Sequence, residues 1–289
     1  MNNINMQAPE QNPLRKYFRQ PKVFITLPSK GKFYPEGTLE IPETGEFPVF
    51  AMTAKDELTM KTPDALLNGA ATVEVIKSCI PSITNPWVMP SIDLDAVLIA
   101  IRIATYGSTM EITTKVPGIG EERKFEVDLR TLLNKLVSNE YNTEVTVNEM
   151  KISTRPLTYK EFTDASLKTF EEQRIFKLVN NEEIPDQEKL ARFNKSFRAL
   201  TDLTVGSLSQ SITAISISDT LVTSQLHIRD FIENADKDFY NDVLEHIELQ
   251  RDSFALEPIK VNSSKDDIAK GAPKNYEVPI TFDQSNFFV

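Results

Sequence analysis

The stretch Asp93–Gly107, DLDAVLIAIRIATYG, decides how this chain folds. Leu94, Val97, Leu98 and Ile101 form one stripe at helical spacing, while Ile99 and Ile103 fall off it. A helix that is apolar nearly all round has to be buried, so this segment is expected at the centre of a core. Asp93 is placed to cap its start and Gly107 to end it. Arg102 is the one charge inside the apolar run, and is expected to pair with a carboxylate or to run outward along its own stem.

Upstream, KVFITL, TLEIP and FPVFAM read as short strands, each closed by proline, glycine or a polar cluster. Thr53 and Asp56 have the spacing of a capping box, as do Thr158 and Glu161. Thr62 followed by Pro63 opens a further helix, and ATVEVIKSCI continues the helical reading to Pro81. Downstream, STMEITTKV and RKFEVDL alternate on either side of PGIGEE, a hairpin signature. The helix LRTLLNKL and two strands near TEVTVN and MKISTRPL follow.

From Thr158 the pattern is helical alone. Leu167, Phe170, Ile175 and Leu178 keep helical spacing; Leu190, Phe193, Phe197 and Leu200 recur at steps of three and four, with Leu208 and Ile215 extending the row. Such a stripe is either the core of a bundle or a docking face for another helix, the bundle core being the default. Two more helices are expected near Leu221–Glu233 and Asp236–Arg251. After Pro258 the periodicity stops, leaving one strand candidate, YEVPITF, which Pro279 confines to a sheet edge. That edge can belong to this chain or to a partner.

The expected fold is therefore α+β: a mixed domain of short antiparallel strands around a buried helix, then an all-helical region and an extended C-terminal arm. The corresponding segments are a flexible arm at 1–21, the mixed domain at 22–157, the helical domain at 158–257 and the arm at 258–289.

Composition narrows the function. A net charge of −10 argues against general nucleic-acid binding, which needs a basic face. No apolar run approaches the roughly 20 residues that span a bilayer, and the first residues lack the apolar segment of a signal peptide. A single cysteine, Cys79, rules out an internal disulfide and suits a reducing cytoplasm. The cluster Ser29-Lys30-Gly31-Lys32 after a strand invites a phosphate-loop reading, but Thr26 stands where the first glycine belongs and Phe33 where Ser or Thr is needed. His227 and His246 sit on separate helices, and no Asp, Glu, His or Cys residues group at metal-ligand spacing. No catalytic, cofactor or metal site is expected, nor any small-molecule substrate.

Aromatic residues point to contacts instead. Trp87, in the proline-bracketed loop PSITNPWVMP, either plugs its own domain's core, the commoner case, or anchors a partner. Phe287-Phe288-Val289 either folds back or docks on another chain. Trp87, Phe282, Phe287 and Phe288 form the candidate partner-binding set.

LPSKGKFYPEG, FAMTAKDELTM, PDALLNGAATVEVIKSCIP and DAVLIAIRIATYGSTMEI, in that order, resemble the base plate protein family of T-even-type contractile-tailed phages. The resemblance covers about residues 22–157 and, more loosely, YEVPITFDQSNFF, but does not extend clearly over 158–257. It implies a non-enzymatic structural or assembly component at or near the baseplate hub, with other tail or baseplate proteins as partners. The implied location is the virion tail, after assembly in the host cytoplasm. The alternative is a tail assembly chaperone that binds the tape-measure protein and leaves before completion. Relatives often carry a Cys-Pro-x-Cys-Gly knuckle in the hairpin turn that looks like half a zinc ribbon. Here Val116 and Ile119 stand at those positions, so apolar packing is expected instead of zinc.

Overall fold

The structure is a computed structural model that describes residues 13–62, 68–181 and 185–280, and it is mixed α+β. The first unit contains the strands β1 (Pro21–Ile25) and β2 (Phe47–Phe50) and the helices α1 (Ala54–Met60), α2 (Ala70–Cys79) and α3 (Leu94–Tyr106). As the all-round apolar pattern requires, every α3 residue from Ala96 to Ala104 is buried. Ile25, Val49, Ile76 and Ile80 pack in the same core. The hairpin β3 (Thr109–Lys115) and β4 (Glu122–Asp128) pairs in full register, and α4 (Leu129–Ser138) adds Leu133 and Leu136 to the core. Both capping boxes form. Thr53 and Asp56 exchange bonds at the start of α1, and Thr158 and Glu161 do so at the start of α5 (Tyr159–Asn181).

The second unit is built on a sheet that the sequence reading divided. β5 (Glu144–Val147) and β6 (Met150–Thr154) are joined by β7 (Ile212–Ile217) and β8 (Thr220–Val222) in the antiparallel order β5-β6-β7-β8. Helices α5, α6 (Asp186–Ser211), α7 (Gln225–Asn234) and α8 (Lys237–Ser253) complete it. Residues 158–257 are thus not all helical, and a boundary at 157/158 separates β6 from its partner β7. Ile152, Ile212, Ile215, Ile228, Phe239 and Val243 form a second core under this sheet. A small third cluster of Ile92, Tyr141 and Phe254, with Phe33 edge-on to Tyr141 at 5.4 Å, lies between the two.

The segment after Pro258 is not an extended arm as far as Ile280. β9 (Ile259–Asn262) pairs with β10 (Asn275–Val278) across the short helix α9 (Lys265–Ala269). The strand within YEVPITF therefore finds its edge inside its own segment. Ile280 joins the main core, and the loop at Gly271 lies against the β3–β4 turn. Val116 and Ala272 are both buried there, so apolar packing fills the place where the resemblance implies a knuckle in relatives. Arg123 bonds Asp267 at 2.8 Å and Lys270 bonds Glu121 at 2.8 Å, tying the two segments together. Residues 13–21 are also held: the Arg19 guanidinium donates to the Ala51 carbonyl, to Ser78 O and Oγ at 2.5 and 2.7 Å, and to Asp56 at 3.3 Å.

Candidate interaction surface

The Ser-Lys-Gly-Lys loop has spent its anion-binding groups internally. Ser29 donates its backbone N–H (2.7 Å) and its hydroxyl (2.6 Å) to the buried Asp93 carboxylate, and Tyr34 donates its hydroxyl to the same group at 2.9 Å. Asp93 stands at the start of α3 but makes no side-chain cap bond. Its carboxylate serves as the acceptor around which this turn folds. Burial pushes its pKa up to about 6, against the pull of these hydrogen bonds. Lys30, Gly31 and Phe33 all adopt positive φ, the backbone cost of wrapping so tightly around one carboxylate.

Other sequence-marked groups are likewise engaged. Arg102 is buried with its guanidinium 4.6 Å from the Tyr106 ring centroid. Among the described residues it forms no ion pair with a carboxylate, its Nε and Nη1 are buried without a hydrogen-bond partner, and burial lowers its pKa. The Cys79 thiol is pushed up to about 12, chiefly by burial. His246 lies 3.2 Å from the Asn142 carbonyl and 3.4 Å from the Thr154 hydroxyl, a structural position in which burial lowers its pKa. Among the described residues no group of three or more His, Cys, Asp or Glu side chains can hold a metal, and no helix is long and apolar enough to cross a membrane.

Of the partner-binding set, Phe282, Phe287 and Phe288 lie outside the described residues. Trp87 is half-buried and stacks on Tyr159 at 5.7 Å and 16°, with the Lys160 ammonium 5.7 Å from its ring. Tyr159 N–H donates to the Met89 carbonyl at 2.7 Å, so this loop forms the joint between the first core and α5.

The surface that stands out is the stripe whose sequence pattern fits either a bundle core, the default, or a docking face. Helices α5 and α6 pack on each other as a long hairpin. The stripe Leu190-Phe193-Phe197-Leu200 divides between two faces. Ser196 is buried and Phe193 and Leu200 are half-covered. Leu190 and Phe197, by contrast, are 61% and 67% exposed, and Phe170 on α5 is 54% exposed. Leu190, Asn194, Phe197 and Thr201 form an exposed, uncharged row at coiled-coil spacing.

At its base the hairpin borders a cleft of about 500 Å³ between α5, α6, α8 and the first turn of α3. Ile92, Leu203, Leu208, Leu244, Ile247 and Phe254 supply an apolar lining. Asp95 also lines it, and no described residue bonds its carboxylate; desolvation pushes it up to about 6. The sequence reading missed this residue, because an acid in a helix's first turn is unremarkable.

A family model described as "T4 bacteriophage base plate protein" matches residues 21–265, running through the 158–257 region where the sequence resemblance was unclear. No curated protein and no solved structure matches the chain.

Proposed function

The chain belongs to the T4 bacteriophage base plate protein family, and from that premise we propose a non-enzymatic structural role in a contractile phage tail, at or near the baseplate hub. Family membership places it in the virion tail, in contact with other tail or baseplate proteins. One observation carries the finer reading. The α5–α6 hairpin holds Phe170, Leu190 and Phe197 in solvent, where an isolated chain gains nothing from them. Burial against a neighbour gains roughly 25 cal/mol per Å² of apolar area, concentrated in a few large side chains. Trp87, beside the hairpin's base, is proposed to extend the same contact.

The double variant Leu190→Ser/Phe197→Ser, supplied during infection by a phage lacking the wild-type protein, tests this reading. The account expects a folded protein with an unchanged melting temperature that is no longer incorporated into tails. Normal incorporation would refute the hairpin's role.

A further inference from the structure

We infer that the cleft at the base of the hairpin is a receptor for a lysine or arginine side chain presented by an apolar segment of a neighbouring protein. An unpaired acid is the first argument. Asp95 lines the cleft half-buried, and no described residue donates to its carboxylate. Desolvation alone pushes its pKa up to about 6, with no cation among the described residues to counter it. At neutral pH the group is therefore mostly ionised among apolar walls, an arrangement that a bound cation relieves.

The rest of the lining is the second argument. Two further carboxylates, Glu248 and Asp252, stand against one guanidinium, Arg251. Arg251 is already engaged, 2.9 Å from Asp252 and 4.0 Å from Glu248. Thr169 and Thr204 donate their hydroxyl hydrogens to the Ala165 and Leu200 carbonyls at 2.9 Å, so each offers the cleft only an acceptor. These groups disfavour an anion and suit a head group that only donates. The apolar walls suit the stem of lysine or arginine and apolar neighbours in the partner's sequence. The volume of about 500 Å³ lies in the range of ordinary ligand cavities. The choice of a protein as occupant rests on the role proposed above, but the cleft shares no residue with the exposed row of Leu190 and Phe197.

Binding to the purified full chain tests the inference independently of incorporation into tails. The first probe is dansylcadaverine, an apolar fluorophore with an alkylammonium, compared with its neutral N-acetyl derivative and the anionic dansyl-aminohexanoate. The wild-type chain is expected to bind the cation about tenfold more tightly than the neutral probe, and the anion most weakly. Asp95→Asn is expected to bring the cation down to the affinity of the neutral probe, whose own binding stays unchanged because the cleft is still formed. Ser207→Trp, which fills the cleft, is expected to abolish binding of all three. No binding of the cation, equal affinities in the wild-type chain, or a cation preference that survives Asp95→Asn would each overturn the proposal. Short overlapping peptides from the phage's other tail proteins then test the occupant. Those captured by the wild-type chain and lost with Asp95→Asn are expected to carry lysine or arginine beside large apolar residues. Capture of peptides without a basic residue, or binding of the cation with capture of no peptide, would overturn the assignment to a protein partner.

Discussion

At Asp93 the residue type was legible and its use was not. A carboxylate before an apolar helix is read as a cap. The structure instead gives it three donors from Ser29 and Tyr34, some sixty residues upstream. No local pattern announces such a pairing, although the odd composition of the Ser-Lys-Gly-Lys turn marks a backbone that needs an organiser. The energetic consequence has a definite sign. The native pKa of about 6 lies above the unfolded value of 3.8. The folded state therefore holds its proton longer, and stability falls as pH rises from about 4 to about 6. Asp93→Asn removes this dependence. Its stability relative to wild type should rise across that window by up to about 3 kcal/mol, as read by urea unfolding at a series of pH values. Asp95 shifts in the same direction but is common to both proteins, so the difference isolates Asp93. A flat difference curve would mean that Asp93 is not the buried acceptor described. Loss of one donor in Tyr34→Phe should cost about 1–3 kcal/mol at any pH below 8.

Among the elements, α3 was legible because its composition leaves only one environment for it. The strand β7 was not. Leu208 and Ile215 are seven residues apart and satisfy a helical row, so the local alternation of ITAISI, rich in β-branched residues, was overridden. Pairing with β6 settles the matter, and that pairing is non-local. The two faces of the second unit should respond differently to mutation. Ile152→Ala, at a fully buried β6 position, is expected to cost 2–5 kcal/mol. Leu190→Ser and Phe197→Ser, on the exposed row, are expected to change stability by no more than about 0.5 kcal/mol. Equal losses at these positions would show that the hairpin's outer row is covered within the chain. At the β3–β4 turn, Gly118 has a φ of 86°, and a Cβ there would lie 2.6 Å from the Gly271 carbonyl oxygen. Gly118→Ala should therefore loosen the contact between this turn and the α9 segment and lower the melting temperature. With Val116 and Ile119 at the knuckle positions, elemental analysis should find no stoichiometric zinc, and a chelator should leave melting unchanged.

The whole molecule is two cores joined at Tyr141, Phe254 and the Trp87 loop, with a helical hairpin and a cleft between them. The α+β class and the first core could be read from periodicity. The cleft could not, because its walls come from residues near 92, 157, 205, 247 and 254, which meet only in the folded chain. The partner surface was visible as a stripe, but whether that stripe faced inward depended on how α5 covers α6. The central claim, that the chain is a built-in part of a phage tail, is tested most directly by quantitative mass spectrometry of purified, finished particles. The account predicts peptides of this chain in a fixed ratio to other baseplate proteins. Their absence from the particles, with the protein abundant in the infected-cell lysate, would contradict it and identify an assembly factor that departs before completion.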